Sequence, residues 1–151
     1  MRFLNNSVLI PTKTRKSGRV HLSNIPLYVS TNFVVFTYPS MAEAEMVASY
    51  MTTVFYQLEC EVMCKNHAGV RKGEVGDVVT THVPVFSDIS PSDVLKIQAE
   101  IPNIKFLNLN NPTITKMDEI WAEILFGVNA QKCLADAQRL LRFLANRRNS
   151  Q

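Results

Sequence analysis

The sequence predicts an α+β fold, with N-terminal antiparallel strands, a long amphipathic helix, further short strands and C-terminal helices. Three observations predict it. β-Branched and aromatic residues crowd the first forty positions, an apolar stripe at helical spacing follows Ser40, and helical periodicity returns after Thr115. At 151 residues the chain fits one domain, read as an α/β part (1–114) followed by a helical part (115–151).

Taken in order, Val8-Leu9-Ile10 forms the first strand, and Thr12 to Gly18 a polar, basic loop. Arg19-Val20-His21-Leu22 alternates polar with apolar, as a half-buried strand does. Leu27-Tyr28-Val29 and Phe33 to Tyr38 flank the turn-forming Ser30-Thr31-Asn32, and a compact antiparallel meander is the simplest arrangement. Ser40, three residues before Glu43, provides a capping box for a helix whose stripe runs Val47, Tyr50, Met51, Val54, Phe55, Leu58, Val62. That spacing predicts one continuous helix to about Lys65, ending before Gly69.

Val79 to Phe86 reads as a strand, with Pro84 marking an edge or an end. Ser90-Pro91-Ser92-Asp93 starts a helix that stops before Pro102, and Ile104 to Leu109 suits a short strand. A further helix begins at Thr115 and is interrupted by Gly127. Asn129 then caps a last one with the stripe Cys133, Leu134, Ala137, Leu140, Leu141, Leu144.

Composition excludes several classes. With 46% hydrophobic and 19% charged residues the chain is an ordinary globular protein rather than a disordered one. No apolar run approaches the roughly 20 residues of a membrane helix. The first residues carry no sustained apolar stretch or small-residue cleavage site, so the expectation is a cytoplasmic protein without a signal peptide and with no membrane partner. Three cysteines, an odd number, fit reduced thiols better than a disulfide framework.

The net charge is only +3, yet it is segregated. Met1 to Ala42 contains no acid while Arg2, Lys13, Arg15, Lys16 and Arg19 are all cationic; Arg139, Arg142, Arg147 and Arg148 follow the last acid, Asp136. Basic ends of this kind suit an anionic partner, or simply keep the protein soluble.

Familiar catalytic spacings are missing. There is no Pro-Pro target-base loop, no Gly-x-Gly cofactor turn and no phosphate-cradling Gly-x4-Gly-Lys, so no cofactor is expected. The acid pairs Glu43/Glu45 and Glu59/Glu61 fall on the polar side of a helix, the wrong setting for a strand-borne nuclease site. Cys60, Cys64 and His67 have a spacing that invites zinc. A structural site needs a fourth converging ligand, and buried free thiols are the simpler reading. Cys64 with His67 is no better as a nucleophile pair, because nothing nearby offers an oxyanion hole. His21 and His82 lie in strand-like segments. No catalytic or metal-ligating residue is therefore assigned.

One constellation remains, Lys65-Asn66-His67-Ala68-Gly69-Val70-Arg71-Lys72, where a buried helix delivers a glycine-containing basic loop. Lys and Arg neutralise phosphates, and Asn and Arg also pair with base edges. The alternative is a helix end whose cations answer its negative dipole.

The stretch from Ala48 to Leu58, then Gly69-Val70-Arg71-Lys72, then Asp77-Val78 to Thr81-His82-Val83-Pro84, resembles the target-recognition regions of N6-adenine DNA methyltransferases and other restriction–modification enzymes. Val29 to Phe36 is similar to the sheet preceding that helix in the family. Met51-Thr52-Thr53 stands where Leu-Asn-Ser is usual, and the methyltransferase half is absent. The resemblance spans roughly Leu27 to Phe86. It implies a non-catalytic module that binds double-stranded DNA through Lys13, Arg15, Lys16, Arg19, Lys65, Asn66, His67, Arg71 and Lys72, and works with a methyltransferase or nuclease subunit. A second reading is an accessory module that docks on such a subunit without touching DNA. The first reading requires Arg71 and Lys72 to be accessible.

Overall fold

The computed structural model describes residues 3–150; Arg2, one of the N-terminal cations, lies outside them. Ten short strands and six α-helices are ordered as β1 (Phe3–Leu4), β2 (Ser7–Pro11), β3 (Lys13–Thr14), β4 (Ser17–Gly18), β5 (His21–Ser23), β6 (Leu27–Tyr28), β7 (Phe33–Thr37), α1 (Met41–Met51), α2 (Val54–Met63), β8 (Lys65–His67), β9 (Val70–Lys72), α3 (Val75–Val78), α4 (Pro91–Glu100), β10 (Leu107–Asn108), α5 (Lys116–Phe126) and α6 (Ala130–Asn149). The expected α+β class, closing on C-terminal helices, is what the chain adopts.

The N-terminal strands do not form a meander. β2 is central, with β5 and β7 antiparallel on either side, while β1 pairs with β6 and β4 with the distant β10. β2 buries Val8, Leu9 and Ile10 together, a continuous apolar run that suits an interior strand and so draws partners from both directions.

The continuous helix predicted after Ser40 is two helices. Thr52 and Thr53 break it, each hydroxyl donating to a carbonyl three residues back, Ser49 O at 2.7 Å and Tyr50 O at 2.7 Å. Thr53 then caps α2 by accepting from the Tyr56 N–H. Threonine offers the backbone this alternative to helical bonding, which makes it a good cap. A second cap comes from far along the chain. Asp118 Oδ1 accepts from Val54 N–H at 2.8 Å, while Oδ2 accepts from Thr115 N–H and Oγ1. Burial pushes the Asp118 carboxyl up, against the lowering effect of these donors.

Val79 to Phe86 is not a strand: α3 ends at Val78, and the chain runs through turns to a 3-10 turn at Phe86–Asp88. Val79 and Val85 are exposed there, so the alternation does not mark a buried face. Ile104 to Leu109 shortens to β10.

Two apolar cores meet at α2. Val8, Ile10, Val34, Met51, Tyr56 and Trp121 contribute to one; Val54, Leu109, Ala122, Leu134 and Leu141 belong to the other. The fully buried Trp121 donates its indole N–H to Ser49 Oγ at 3.0 Å. The terminal helices are thus built into the interior and are not an appended arm. Asn129 occupies the N-cap position of α6, but its side chain makes no capping bond.

Candidate nucleic-acid interface

The basic segment after α2 folds as a hairpin. Cys64 leaves the helix in an extended conformation, feeding the chain straight into β8. Ala68 and Gly69 turn it into β9 with φ of 52° and 77°. Positive φ at both central positions gives the turn twist that antiparallel strands favour, and glycine accepts it without steric cost. β3 adds to the other side of β9, making a three-stranded sheet in the order β3-β9-β8.

Register decides what each face carries. Lys13 is paired with Lys72, and Lys72 with Lys65; one residue along, Thr14 is paired with Arg71, and Arg71 with Asn66. Directly opposed residues share a face and neighbours in sequence alternate. Lys13, Lys72 and Lys65 therefore form one row, while Arg71 and Thr14 turn inward.

The inner face is a buried polar cluster. Arg71 is 4% exposed and Arg148, from the end of α6, likewise 4%. Between them the Glu61 carboxylate accepts from Arg71 Nη1 at 3.2 Å and from Arg148 Nε and Nη2 at 3.0 and 2.9 Å. Arg71 also donates to Gln57 Oε1 at 2.7 Å and to Gln57 O at 3.3 Å. Arg148 reaches the Gly69 carbonyl at 2.8 Å and the Arg15 carbonyl at 2.9 Å. One side chain of the last helix thereby fastens the hairpin turn and the loop after β3. Gly18 completes the packing, because a Cβ there would sit 2.6 Å from Gln57 Cδ.

The condition that Lys72 and Arg71 both be accessible holds for Lys72 and fails for Arg71, so a DNA contact can rest only on the lysine side of the sheet and not on Arg71. Its guanidinium is consumed by Gln57 and Glu61, because the register sets it opposite the buried Thr14. Arg148, which sequence reasoning grouped with the solvated basic tail, is the residue that was missed. No local pattern signalled it: Glu61 reads as one of two acids on the polar side of the helix, with Lys65 one turn further on as its apparent partner.

The outer face is different. Lys13 and Lys65 are exposed and Lys72 is half-exposed. Lys72 Nζ lies 3.0 Å from Glu74, itself on the surface. The hydrogen bond and charge of Lys72, with Lys65 adding, hold the Glu74 carboxyl below its ordinary range. Arg15, Lys16 and Arg19 are exposed on the connection from β3 through β4 to β5; His67 is exposed on the lysine side of β8, and Asn66, the strand partner of Arg71, is exposed at the sheet edge on the other side. Eight of the nine expected residues are accordingly at the surface, with only Arg71 inside.

The thiols lie beneath this sheet. Cys60 and Cys64 are free; their mutual hydrogen bond and burial push the Cys60 thiol well up, while the same hydrogen bond lowers Cys64 against the raising effect of its own burial. Among the described residues no group of three or more His, Cys, Asp or Glu side chains is placed to hold a metal ion, and no helix is long and apolar enough to cross a membrane.

Residues 1–114 match the family model of the specificity domain of the restriction endonuclease BpuSI. The crystal structure of the type IIG restriction endonuclease BpuSI contains a similar region, with 30% sequence identity and a TM-score of 0.88. The likeness covers 95% of this chain, and so extends beyond residue 114 into the terminal helices, but only 17% of the BpuSI chain. No curated protein matches.

Proposed function

The chain belongs to the BpuSI specificity-domain family, and on that premise we propose that it is the non-catalytic DNA-reading module of a restriction–modification system. Its contact surface is the lysine row Lys13–Lys72–Lys65, flanked by Arg15, Lys16, Arg19, Asn66 and His67. A cytoplasmic location with its DNA follows from that role.

The observation that carries this reading is the row itself. Like charges directly opposed across strands are destabilising. Three lysines in register, answered by one surface carboxylate, have no evident use to the fold. A polyphosphate lying across the sheet would neutralise all three, and His67, on the lysine side of β8, could then meet a base edge. Non-specific affinity of such a module is about 10⁻⁴ to 10⁻⁶ M at physiological salt, weakening as salt rises.

Charge reversal tests it. The triple substitution Lys13→Glu, Lys65→Glu, Lys72→Glu is expected to abolish binding to a fluorescein-labelled duplex by anisotropy while the circular dichroism spectrum is unchanged. Undiminished binding by this folded variant would remove the lysine row from the interface.

A partner surface is favoured by a separate observation. On α6, Leu140 and Phe143 are 45% and 59% exposed, on the side facing away from the core. We assign this face to contact with a methyltransferase or nuclease subunit. A complex that forms with wild type but not with Leu140→Asp/Phe143→Asp, seen by light scattering, is the expected result.

A further inference from the structure

A second surface feature extends the DNA-reading assignment and rests on it. Phe106 is 48% exposed, in the segment between α4 and β10. Its ring stands edge-on to His21, 5.5 Å between centroids at 68°, and His21 is braced in turn against Phe33 at 6.0 Å and 81°. The ring is thus held from one side by a stack of aromatic groups and open on the other. It borders a cleft of about 740 Å³ lined also by Lys105, Asn103, Asn108 and Lys116, with Glu100 as the one acid in its wall.

The surroundings are cationic. Lys105 is exposed and forms no ion pair among the described residues. Arg19, exposed and equally without an ion pair, follows Gly18, the strand partner of Leu107. Lys116 is only loosely engaged, 3.8 Å from Glu119. The chain links the cleft to the lysine row. From Lys13 on β3 the chain passes through the exposed Arg15 and Lys16 into β4, which pairs with β10 at the cleft edge.

A rigid exposed aromatic ring between cations is how proteins hold a base by its face while neutralising its phosphates. The Asn103 amide in the same wall supplies a donor and an acceptor for a base edge, and Asn108, whose Oδ1 accepts from the Asn110 and Asn111 N–H groups, keeps its Nδ2 as a donor. The cleft volume lies within the roughly 300–1,000 Å³ of small-molecule sites, ample for one base. We propose that this cleft is a nucleobase site, in which Phe106 stacks on a base released from the duplex while Lys105 and Arg19 take the flanking phosphates.

Two labelled probes test it, a fully paired duplex and the same duplex with a short central bubble, with anisotropy and intrinsic fluorescence as readouts on the full chain. Wild type should prefer the bubble. Phe106→Ala should bind the bubble about 5- to 150-fold more weakly, the range of one base–aromatic stack, with an unchanged salt slope because no charge is lost. Phe106→Leu, which keeps apolar cover over His21, should lose the same preference and exclude a folding defect as the cause. Phe106→Trp should retain binding, and the bubble probe should quench the new indole, since Trp121 is buried and shielded. Equal binding of the bubble by wild type and Phe106→Ala, or an unquenched indole, overturns the nucleobase site alone. Wild type that binds neither probe overturns the DNA-reading assignment itself.

Discussion

Arg71 and Lys72 are adjacent in sequence, and they face opposite worlds. On the inner side of the three-stranded sheet, two arginines saturate one carboxylate and two backbone carbonyls of neighbouring loops. On the outer side, three lysines stand abreast with a single exposed carboxylate for company. The difference teaches that cationic residues in one short basic segment serve different ends according to strand parity. Arginine, with its planar fork of donors, takes the site where many acceptors converge; lysine, a compact hydrated charge, takes the site that opens to solvent.

That contrast predicts a gradient of effects. Glu61→Ala should be the most damaging substitution, costing about 3–5 kcal/mol by chemical denaturation, because it leaves two buried guanidinium groups unpaired. Gly18→Ala comes next. Its new methyl would press on the buried Gln57 side chain, and overpacking of this kind costs about 1–3 kcal/mol. Gly69→Ala should cost about 1–2 kcal/mol through the positive φ alone, since the nearest atom to its Cβ would be 3.7 Å away; Ala68→Gly should be neutral or mildly stabilising. Smallest of all, Lys13→Ala/Lys65→Ala/Lys72→Ala should alter stability by no more than about 0.5 kcal/mol. If the lysine triple cost as much as Glu61→Ala, the two faces would not divide the labour as described.

Much of this was legible beforehand, where local chemistry rules. The starts of α1, α4 and α5 follow from Ser40, Ser90 and Thr115, whose side chains accept from the N–H three residues on. Ala68-Gly69 lay inside the segment singled out as basic and glycine-containing, although its strands did not announce themselves in so polar a run. The helix break at Thr52-Thr53 was hidden for a physical reason. The apolar stripe continues through it in phase, and half of its cap comes from Asp118, sixty-four residues away. The burial of Arg71 was equally hidden, since it depends on pairing with β3 and on a carboxylate shared with Arg148 near the opposite end of the chain. Long-range pairing, which no local pattern encodes, separates the eight accessible candidates from the ninth.

The most direct test is the salt dependence of duplex binding by wild type and by Lys13→Ala/Lys65→Ala/Lys72→Ala. Each phosphate contact contributes about 0.9 to the slope of log affinity against log salt. If all three lysines meet phosphates, the triple variant should lose about 2.7 of that slope, while its melting curve overlays that of wild type. A slope that does not change, in a variant that stays folded, would contradict the assignment of the outer face to DNA.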